Sequence, residues 1–231
     1  MRPAPHWLRR GLLALFGLLA IWQSWYVGWV VWWKYVDPGT TAFMRQRLAE
    51  LREKNPGAEL RHQWQDYARI SVQLKRAVIA AEDDKFIDHE GFDWEGMQKA
   101  LEKNQRRGKV VAGGSTISQQ LAKNLFLSAA KTPWRKVQEA IITVWLELLW
   151  SKRRILEVYL NSVEWGEGIF GAEAAARRYY NTGAGSLTAD QAARLAVMLP
   201  APRRHERNPY SAFMNDRMLI ILARMRHSEA P

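Results

Sequence analysis

The chain has 231 residues, a formal net charge of +11 and no cysteine. A hydrophobic fraction of 48% excludes a largely disordered chain, and the lack of thiols excludes disulfides, cysteine zinc sites, iron–sulfur clusters and a cysteine nucleophile. Once any membrane anchor is subtracted, the length leaves room for one sizeable domain. The basic charge indicates a polyanionic partner, which charge alone leaves open as nucleic acid, phospholipid or a phosphorylated substrate.

The N-terminal segment is predicted to be a membrane-spanning helix. No charged residue occurs in residues 11–33, and about 20 apolar residues are enough to cross a bilayer. Six of the 12 tryptophans lie within the first 33 residues, as is typical of a membrane interface. The alternative, a cleaved signal peptide, fits less well because the apolar stretch is long and no Ala-x-Ala site follows it.

The orientation of this helix is predicted from the basic residues around it. They flank the span on both sides, with Arg2, Arg9 and Arg10 before it and Lys34, Arg45 and Arg47 after it. The first group favours an N-terminus inside the cell, and the second weakens that bias. We therefore predict a single-pass anchor with the downstream domain outside.

The chain is predicted to divide into four parts. Residues 1–10 form a cytoplasmic N-terminus, 11–33 the membrane helix, 34–66 a membrane-proximal linker, and 67–231 the main domain. Within the linker, Met44, Leu48 and Leu51 are spaced as one face of a short amphipathic helix that ends before Asn55. This helix fits a membrane-proximal spacer and an ordinary packed helix equally well.

Helical patterns continue from residue 70 to the C-terminus, and the fold class is predicted to be mainly α. Strand-like alternation is nearly absent, and only Lys109-Val110-Val111 is predicted as a short extended piece. Four residues have the polar side chains and the positions expected of helix N-caps. These are Ser115, Thr132, Ser151 and Thr188, and a last helix is predicted from Ser211 to about Met225.

Several site types are excluded by the absence of their motifs. The chain has no phosphate-binding G-x-x-x-x-G-K-[ST] loop and no H-E-x-x-H zinc motif. Its five histidines are scattered, which argues against a dedicated histidine metal site. The S-x-x-K pattern of penicillin-binding transpeptidases occurs at residues 128–131, but no S-D-N or K-T-G accompanies it, so we interpret it as a coincidence.

A cluster of carboxylates follows an apolar helix. Glu82, Asp83, Asp84 and Asp88 lie within seven residues. Crowded carboxylates raise one another's pKa, which suits a general base. The alternative is a solvated acidic helix end, which is less favourable because a helix C-terminus repels acidic groups.

Two further segments have the residue types of an anion site. Residues 113–120 form a glycine turn that enters a helix, where free N–H groups can bind phosphate. Arg135 and Lys136 precede Glu139, and the three could hold a pyrophosphate directly or through a divalent metal. The simpler alternatives are a loop with a polar helix face and one surface ion pair, which contributes only about 0.3–0.5 kcal/mol.

Four motifs occur in order over residues 74–202. They are E-D-x-x-F-x-x-H-x-G, G-G-S-T-I-S-Q-Q-L-x-K-N, R-K-x-x-E and K-x-x-I-L-E-x-Y-L-N. Together they resemble the successive motifs of the peptidoglycan glycosyltransferases of family 51. The sequence departs from the family at Ser118, where threonine is common, and at Lys99, where many members carry arginine.

The resemblance implies a lysozyme-like, two-lobed helical fold and a lipid-linked substrate. Lipid II would be the acceptor and the growing glycan chain the donor, with no role for nucleic acid. Glu82 would deprotonate the 4-hydroxyl of the acceptor's GlcNAc, which attacks C1 of MurNAc with inversion and releases undecaprenyl pyrophosphate. Because the chain ends after this domain, no transpeptidase activity is expected.

The resemblance also assigns the remaining site residues. Glu139 would lie near the pyrophosphate as a second catalytic residue, with Mg²⁺ or Mn²⁺ as an allowed but not required cofactor. Lys152, Glu157, Tyr159 and Asn161 would be structural. The substrate-binding residues would be Asp83, Phe86, His89, Ser115, Gln120, Lys123, Asn124, Arg135 and Lys136.

Two rival functions stay open from the residues alone. A lysozyme-like muramidase or lytic transglycosylase would also use a glutamate in a cleft, but cations would serve no purpose against a neutral glycan. A non-enzymatic membrane scaffold would not need Glu82 and Glu139 in these contexts. The expected location is the inner membrane with the catalytic domain in the periplasm. Cell-division or wall-synthesis proteins are expected as partners.

Overall fold

The computed structural model describes residues 6–109, 113–130 and 132–231. The chain divides into two compact units, one ending at Asp37 and the other beginning at Pro38. The helices are α1 (His6–Tyr35), α2 (Ala42–Lys54), α3 (Val72–Glu82), α4 (Trp94–Arg107), α5 (Ile117–Phe126), α6 (Pro133–Leu149), α7 (Lys152–Ser162), α8 (Ala172–Tyr180), α9 (Ala189–Met198), α10 (Pro202–His205) and α11 (Ala212–Arg224). The strands are β1 (Arg61–His62), β2 (Glu164–Gly166) and β3 (Ile169–Phe170).

The first unit consists of α1. Within the described residues, α1 is the one helix long and apolar enough to cross a membrane. Its tryptophans contact one another four residues apart, with ring centroids 5.9 Å apart for Trp25 and Trp29 and 5.0 Å apart for Trp29 and Trp33. This spacing places the aromatic residues on one face of the helix, toward its C-terminal end.

The second unit begins earlier than the sequence predicts. The predicted main domain starts at residue 67, whereas the compact unit starts at Pro38 and includes α2. Phe43 and Met44 of α2 are buried against Phe170, and β1 pairs with β3. The segment predicted as a linker is therefore part of the domain, because its apolar side chains complete the core around Phe170.

Two groups of helices form most of this domain. In one group, α3 packs against α9 and α11; in the other, α5 packs against α6, α7 and α2. Apolar side chains fill both groups, including the fully buried Leu74, Leu121 and Ile155. The mainly helical fold class is confirmed. The predicted active-site segments lie where α3 ends and where α5 and α6 begin.

A small sheet was not predicted. Its strand order is β1-β3-β2, with β1 parallel and β2 antiparallel to β3. The strands are only two or three residues long and are buried on β2 and β3, so no alternation of polar and apolar residues marks them. Tertiary contacts, not a local pattern, hold this sheet.

The predicted caps are correct with one exception. Thr132, Ser151 and Thr188 each accept a hydrogen bond from the backbone of the first helical turn. Ser211, where the last helix is predicted to begin, also caps its helix in this way. The exception is α5, which Thr116 caps in place of Ser115, through a capping box with Gln119. The extended piece predicted at Lys109-Val110-Val111 lies mostly outside the described residues, as do Arg2 and Lys131.

Candidate active site

Asp83 joins the end of α3 to the start of α5. Its side chain is buried, and its two carboxylate oxygens accept hydrogen bonds from His89 Nε2 at 2.8 Å and from the backbone N–H of Ile117 at 2.9 Å. His89 Nδ1 in turn accepts a bond from the backbone N–H of Gly91 at 3.1 Å, so the ring proton lies on Nε2. Both carboxylate oxygens of Asp83 and both ring nitrogens of His89 thus have hydrogen-bond partners within the protein.

The rest of the first motif supports this junction. The ring of Phe86 is fully buried, so this predicted substrate-binding residue packs in the core and has no surface for a ligand. Gly91 has a φ of +87°, and a Cβ there would lie 2.8 Å from Thr143 Cγ2. Only glycine fits both constraints. The carbonyl of Gly91 accepts a bond from the Thr116 hydroxyl at 2.7 Å, which fixes the start of α5.

Glu82 lies at the end of α3, with its carboxylate facing α5. Its Oε2 accepts a hydrogen bond from Gln120 Nε2 at 2.7 Å, and Gln120 Oε1 accepts one from the Tyr159 hydroxyl at 2.9 Å. Burial raises the pKa of Glu82, while the bond from Gln120 and the charge of Lys123 oppose the rise. Glu82 is therefore a carboxylate whose direct partner is a neutral amide.

Glu139 has a contrasting environment on α6. Its side chain is 3% exposed, and it forms short ion pairs through Oε2 with Arg135 and through Oε1 with Lys136. Lys136 Nζ also lies 3.4 Å from Ser115 Oγ. The glutamate thus holds two cations beside the glycine turn. Its own carboxylate is buried and Arg135 is largely buried, whereas the Lys136 side chain is half-exposed.

The amine of Lys123 interacts electrostatically with both of these carboxylates. Its Nζ is 5.6 Å from the centroid of the Phe43 ring. Burial lowers the pKa of Lys123, while Glu139 and Glu82 act in the opposite direction. A phosphate group arriving here would add negative charge and favour the protonated amine.

Two adjacent pockets contain most of the predicted residues. A cationic pocket of about 440 Å³ is lined by residues of α2, α5 and α6, and a smaller pocket of about 120 Å³ is lined by Glu82 and Asp83. Ser115 lines both pockets. Phe86 and His89 line neither. The predicted residues in the cationic pocket are Ser115, Gln120, Lys123, Asn124, Arg135, Lys136 and Glu139.

Sequence reasoning missed several residues that line the cationic pocket, three of which bear on its chemistry. Phe43 and Arg47 reach it from α2, and Glu164 from β2. Arg47 Nε donates to Glu164 Oε2 at 3.2 Å although the two residues are 117 positions apart, so no local pattern could join them. Burial is the largest cause of the raised pKa of Glu164, and Arg203 and Arg47 oppose it.

The two departures from the family pattern have clear environments. Lys99 pairs with Glu95 on the exposed face of α4 and lines neither pocket. The Ser118 hydroxyl donates to Glu147, which also pairs with Lys152 at 2.8 Å. Serine at position 118 therefore provides the hydroxyl that this hydrogen bond requires, as threonine would.

The residues predicted to be structural make contacts inside the domain. Lys152 also donates to the carbonyl of His89. Glu157 accepts from the backbone N–H of Tyr67 at 2.7 Å, and Asn161 Oδ1 accepts from that of Gln65 at 2.8 Å. Tyr159 differs from these three, because its hydroxyl is linked to Glu82 through the side-chain amide of Gln120.

The residues around Glu139 do not fit a metal site. Both of its oxygens are occupied by cations, and the described residues contain no group of three or more His, Cys, Asp or Glu side chains that could hold a metal ion. Divalent cations prefer several oxygen ligands in one place. We derive no step through a metal.

Comparison with known proteins identifies the family. A protein-family model described as transglycosylase matches residues 47–226. The chain belongs to the transglycosylase family. It is 61% identical over the full length of both chains to a biosynthetic peptidoglycan transglycosylase of Dechloromonas aromatica, and 61% identical over both full lengths to one of an Azoarcus species. A relative of the same name from Aromatoleum aromaticum is 63% identical over 90% of each chain.

Family membership settles three predictions from the sequence. The resemblance carried by the four motifs is confirmed, and so is the prediction that this protein is a glycosyltransferase enzyme of peptidoglycan synthesis. The lysozyme-like fold class is confirmed as well. The family match starts at Arg47, inside α2, which agrees with the inclusion of α2 in the compact unit.

Proposed function

We propose that this enzyme polymerises lipid II into β-1,4-linked glycan strands and releases undecaprenyl pyrophosphate. The observation that carries the proposal is that an acidic pocket and a cationic pocket lie next to each other and share Ser115. The small pocket presents the carboxylate of Glu82, and the neighbouring pocket presents Lys123, Arg135 and Lys136. A sugar polymerase that uses a pyrophosphate leaving group needs a base on one side of the bond and cations on the other.

In the proposed reaction, Glu82 accepts the proton of the acceptor's GlcNAc 4-hydroxyl. The freed oxygen attacks C1 of MurNAc in the growing chain, and the C1–O bond to the pyrophosphate breaks. The attack comes from the face opposite the leaving group, so the configuration at C1 inverts. Lys123, Arg135 and Lys136 stabilise the charge that develops on the departing pyrophosphate.

Glu139 has a supporting role in this proposal. Its carboxylate fixes Arg135 and Lys136 beside Ser115 before the substrate arrives. Cations that are already in place need no reorganisation as the leaving group gains charge, which is the main source of electrostatic catalysis. The cations also argue against a muramidase, because a neutral glycan has no pyrophosphate for them to bind.

The proposal is tested with detergent-solubilised full-length protein and lipid II labelled in its GlcNAc. We expect a labelled polymer that muramidase digests to disaccharide units, together with undecaprenyl pyrophosphate. Preformed glycan should stay intact in a parallel reaction. Cleavage of that glycan without polymer formation would establish the muramidase alternative instead.

We also propose that α1 anchors the enzyme in the inner membrane with the domain in the periplasm. The support is the length and apolar character of α1 and the expected site of lipid II polymerisation. The chain has no cysteine, so single-cysteine variants report topology directly. In intact cells, a membrane-impermeant thiol reagent should label Lys103→Cys in the domain and leave His6→Cys unlabelled. Labelling of His6→Cys and not of Lys103→Cys would show that the helix has the opposite orientation.

A further inference from the structure

Tyr159 lies behind the proposed base and outside both pockets. Its side chain is fully buried in α7 and its ring does not line either pocket. Within the described part of the chain, its hydroxyl has one hydrogen-bond partner, Gln120 Oε1 at 2.9 Å. The other end of the same amide, Gln120 Nε2, donates to Glu82 Oε2 at 2.7 Å.

The three side chains form a chain of bonds with a fixed direction. A glutamine amide has one donor end and one acceptor end, so its orientation is set by its two neighbours together. The Tyr159 hydroxyl donates to the carbonyl end, which leaves the amino end for Glu82. The reversed amide would place its carbonyl oxygen against the Glu82 carboxylate and leave the buried hydroxyl without an acceptor, which is costly in a dry site.

We propose that Tyr159 is a positioning residue for catalysis: its hydroxyl fixes the amide of Gln120 so that the amino end faces the Glu82 carboxylate. This inference rests on the proposed function in one respect, namely that Glu82 is the base. Tyr159 touches no substrate and acts only through Gln120. From the sequence, Tyr159 is predicted to be structural.

The consequence concerns the protonation state of Glu82. A hydrogen bond to the ionised form favours that form, and here it opposes burial, which raises the pKa of Glu82. Loss of the fixed amide should therefore raise this pKa further. The other titratable or charged groups that face Glu82 or share its pocket are Asp83, Asp84, Asp93, Lys123 and Arg224.

The first test is the pH–rate profile of Tyr159→Phe, which removes only the hydroxyl and keeps the ring. We expect the acidic limb of the lipid II polymerisation rate to move to higher pH by about 0.5–1 unit. On that limb the rate then falls by about 3–10-fold, and on the alkaline plateau it stays within about twofold of the unsubstituted enzyme. An unchanged acidic limb, or an equal loss of rate at every pH, would overturn the proposal.

Tyr179→Phe is the matched control. Tyr179 is partly buried and lines neither pocket, and its hydroxyl donates to the carbonyl of Trp165 at 3.0 Å. Removal of this hydroxyl should leave the pH profile unchanged. A shift equal to that of Tyr159→Phe would show that loss of any buried tyrosine hydroxyl has this effect, and would also overturn the proposal.

A second measurement does not depend on catalysis. With ¹³C-labelled glutamate side chains, the Glu82 carboxyl signal is assigned by its absence in Glu82→Gln, and its titration is followed in the full-length protein by NMR. Tyr159→Phe should raise the titration midpoint, and Tyr179→Phe should not. If Glu82→Gln keeps full activity, the proposed base is wrong, yet this titration still decides whether Tyr159 controls Glu82.

Discussion

Glu82 and Glu139 are both glutamates that line one of the two adjacent pockets, but their surroundings differ. Glu82 is bonded to the neutral amide of Gln120, and burial raises its pKa. Glu139 is bonded to the two cations Arg135 and Lys136. A carboxylate that is to accept a proton must not have its charge neutralised by a cation, whereas one that positions cations must be neutralised by them.

The same division appears between neighbours in the first motif. Glu82 faces the small pocket, while both oxygens of the adjacent Asp83 are taken by His89 and the N–H of Ile117. Two consecutive acidic residues thus have different surroundings, which fit the proposed chemical role of Glu82 and a structural role of Asp83. Substitutions at each of these positions test this division.

Removal of the proposed base should have the largest effect on rate. Glu82→Gln keeps the size of the side chain but cannot accept a proton, and general-base catalysis contributes about 10²–10⁴-fold. We expect the initial rate on lipid II to fall by this amount, and Glu102→Gln, on the exposed face of α4, to serve as the unaffected control. A Glu82→Gln rate within a few-fold of the parent would exclude this carboxylate from the mechanism.

The stability of Glu82→Gln should be equal or greater. Because the folded-state pKa of Glu82 is raised above its ordinary value of 4.5, the folded chain binds the proton more tightly than the unfolded chain. Stability therefore falls as pH rises through the window between these two pKa values. The variant should lose this pH dependence, which thermal unfolding at a series of pH values would detect.

Loss of a cation should weaken binding of the donor. Lys123→Ala removes a charge-assisted bond to phosphate worth about 1.5–3 kcal/mol, which corresponds to roughly 10–150-fold in affinity. Affinity for a phosphoglycolipid inhibitor of the moenomycin type is the direct measurement, since the family resemblance implies that such compounds bind this site. The exposed Lys103→Ala is the control. Equal inhibitor affinity in both variants would show that Lys123 does not bind the phosphate group.

Glu139→Gln tests whether this residue anchors cations or binds a metal. Without the charge, Arg135 and Lys136 lose the partner that holds them in place, and we expect a loss of rate on the order of 10–100-fold. Because both oxygens already face cations, the dependence of the rate on Mg²⁺ concentration should match that of the parent enzyme. Recovery of the variant at high Mg²⁺ would instead favour a metal at this position.

Asp83→Asn should lower stability more than it alters chemistry. An amide at this position has one acceptor for two facing N–H groups, so a buried donor is left unpaired at a cost of about 1–3 kcal/mol in the free energy of unfolding. The exposed Asp88→Asn is the matched control and should unfold like the parent. If the two variants have equal thermal stability, Asp83 does not hold α3 and α5 together.

Local sequence signals were enough to predict most helices and the chemistry of the motifs. Apolar periodicity and capping residues located α2, α3, α6, α7, α9 and α11, because these signals lie within one or two turns of the helix that they define. The uncharged stretch of residues 11–33 located α1. The order of four short motifs was enough to reach the family and to name Glu82, Lys123 and Glu139.

The different surroundings of the predicted site residues depend on tertiary contacts that the sequence does not reveal. The sheet, the membership of α2 in the domain and the pairing of Arg47 with Glu164 depend on contacts between distant residues. Phe86 is buried and both oxygens of Asp83 accept hydrogen bonds, although both residues belong to the motif that contains the proposed base. The physical reason is that burial and hydrogen-bond partners, which set pKa and access to a ligand, arise from packing between helices and leave no trace in local spacing.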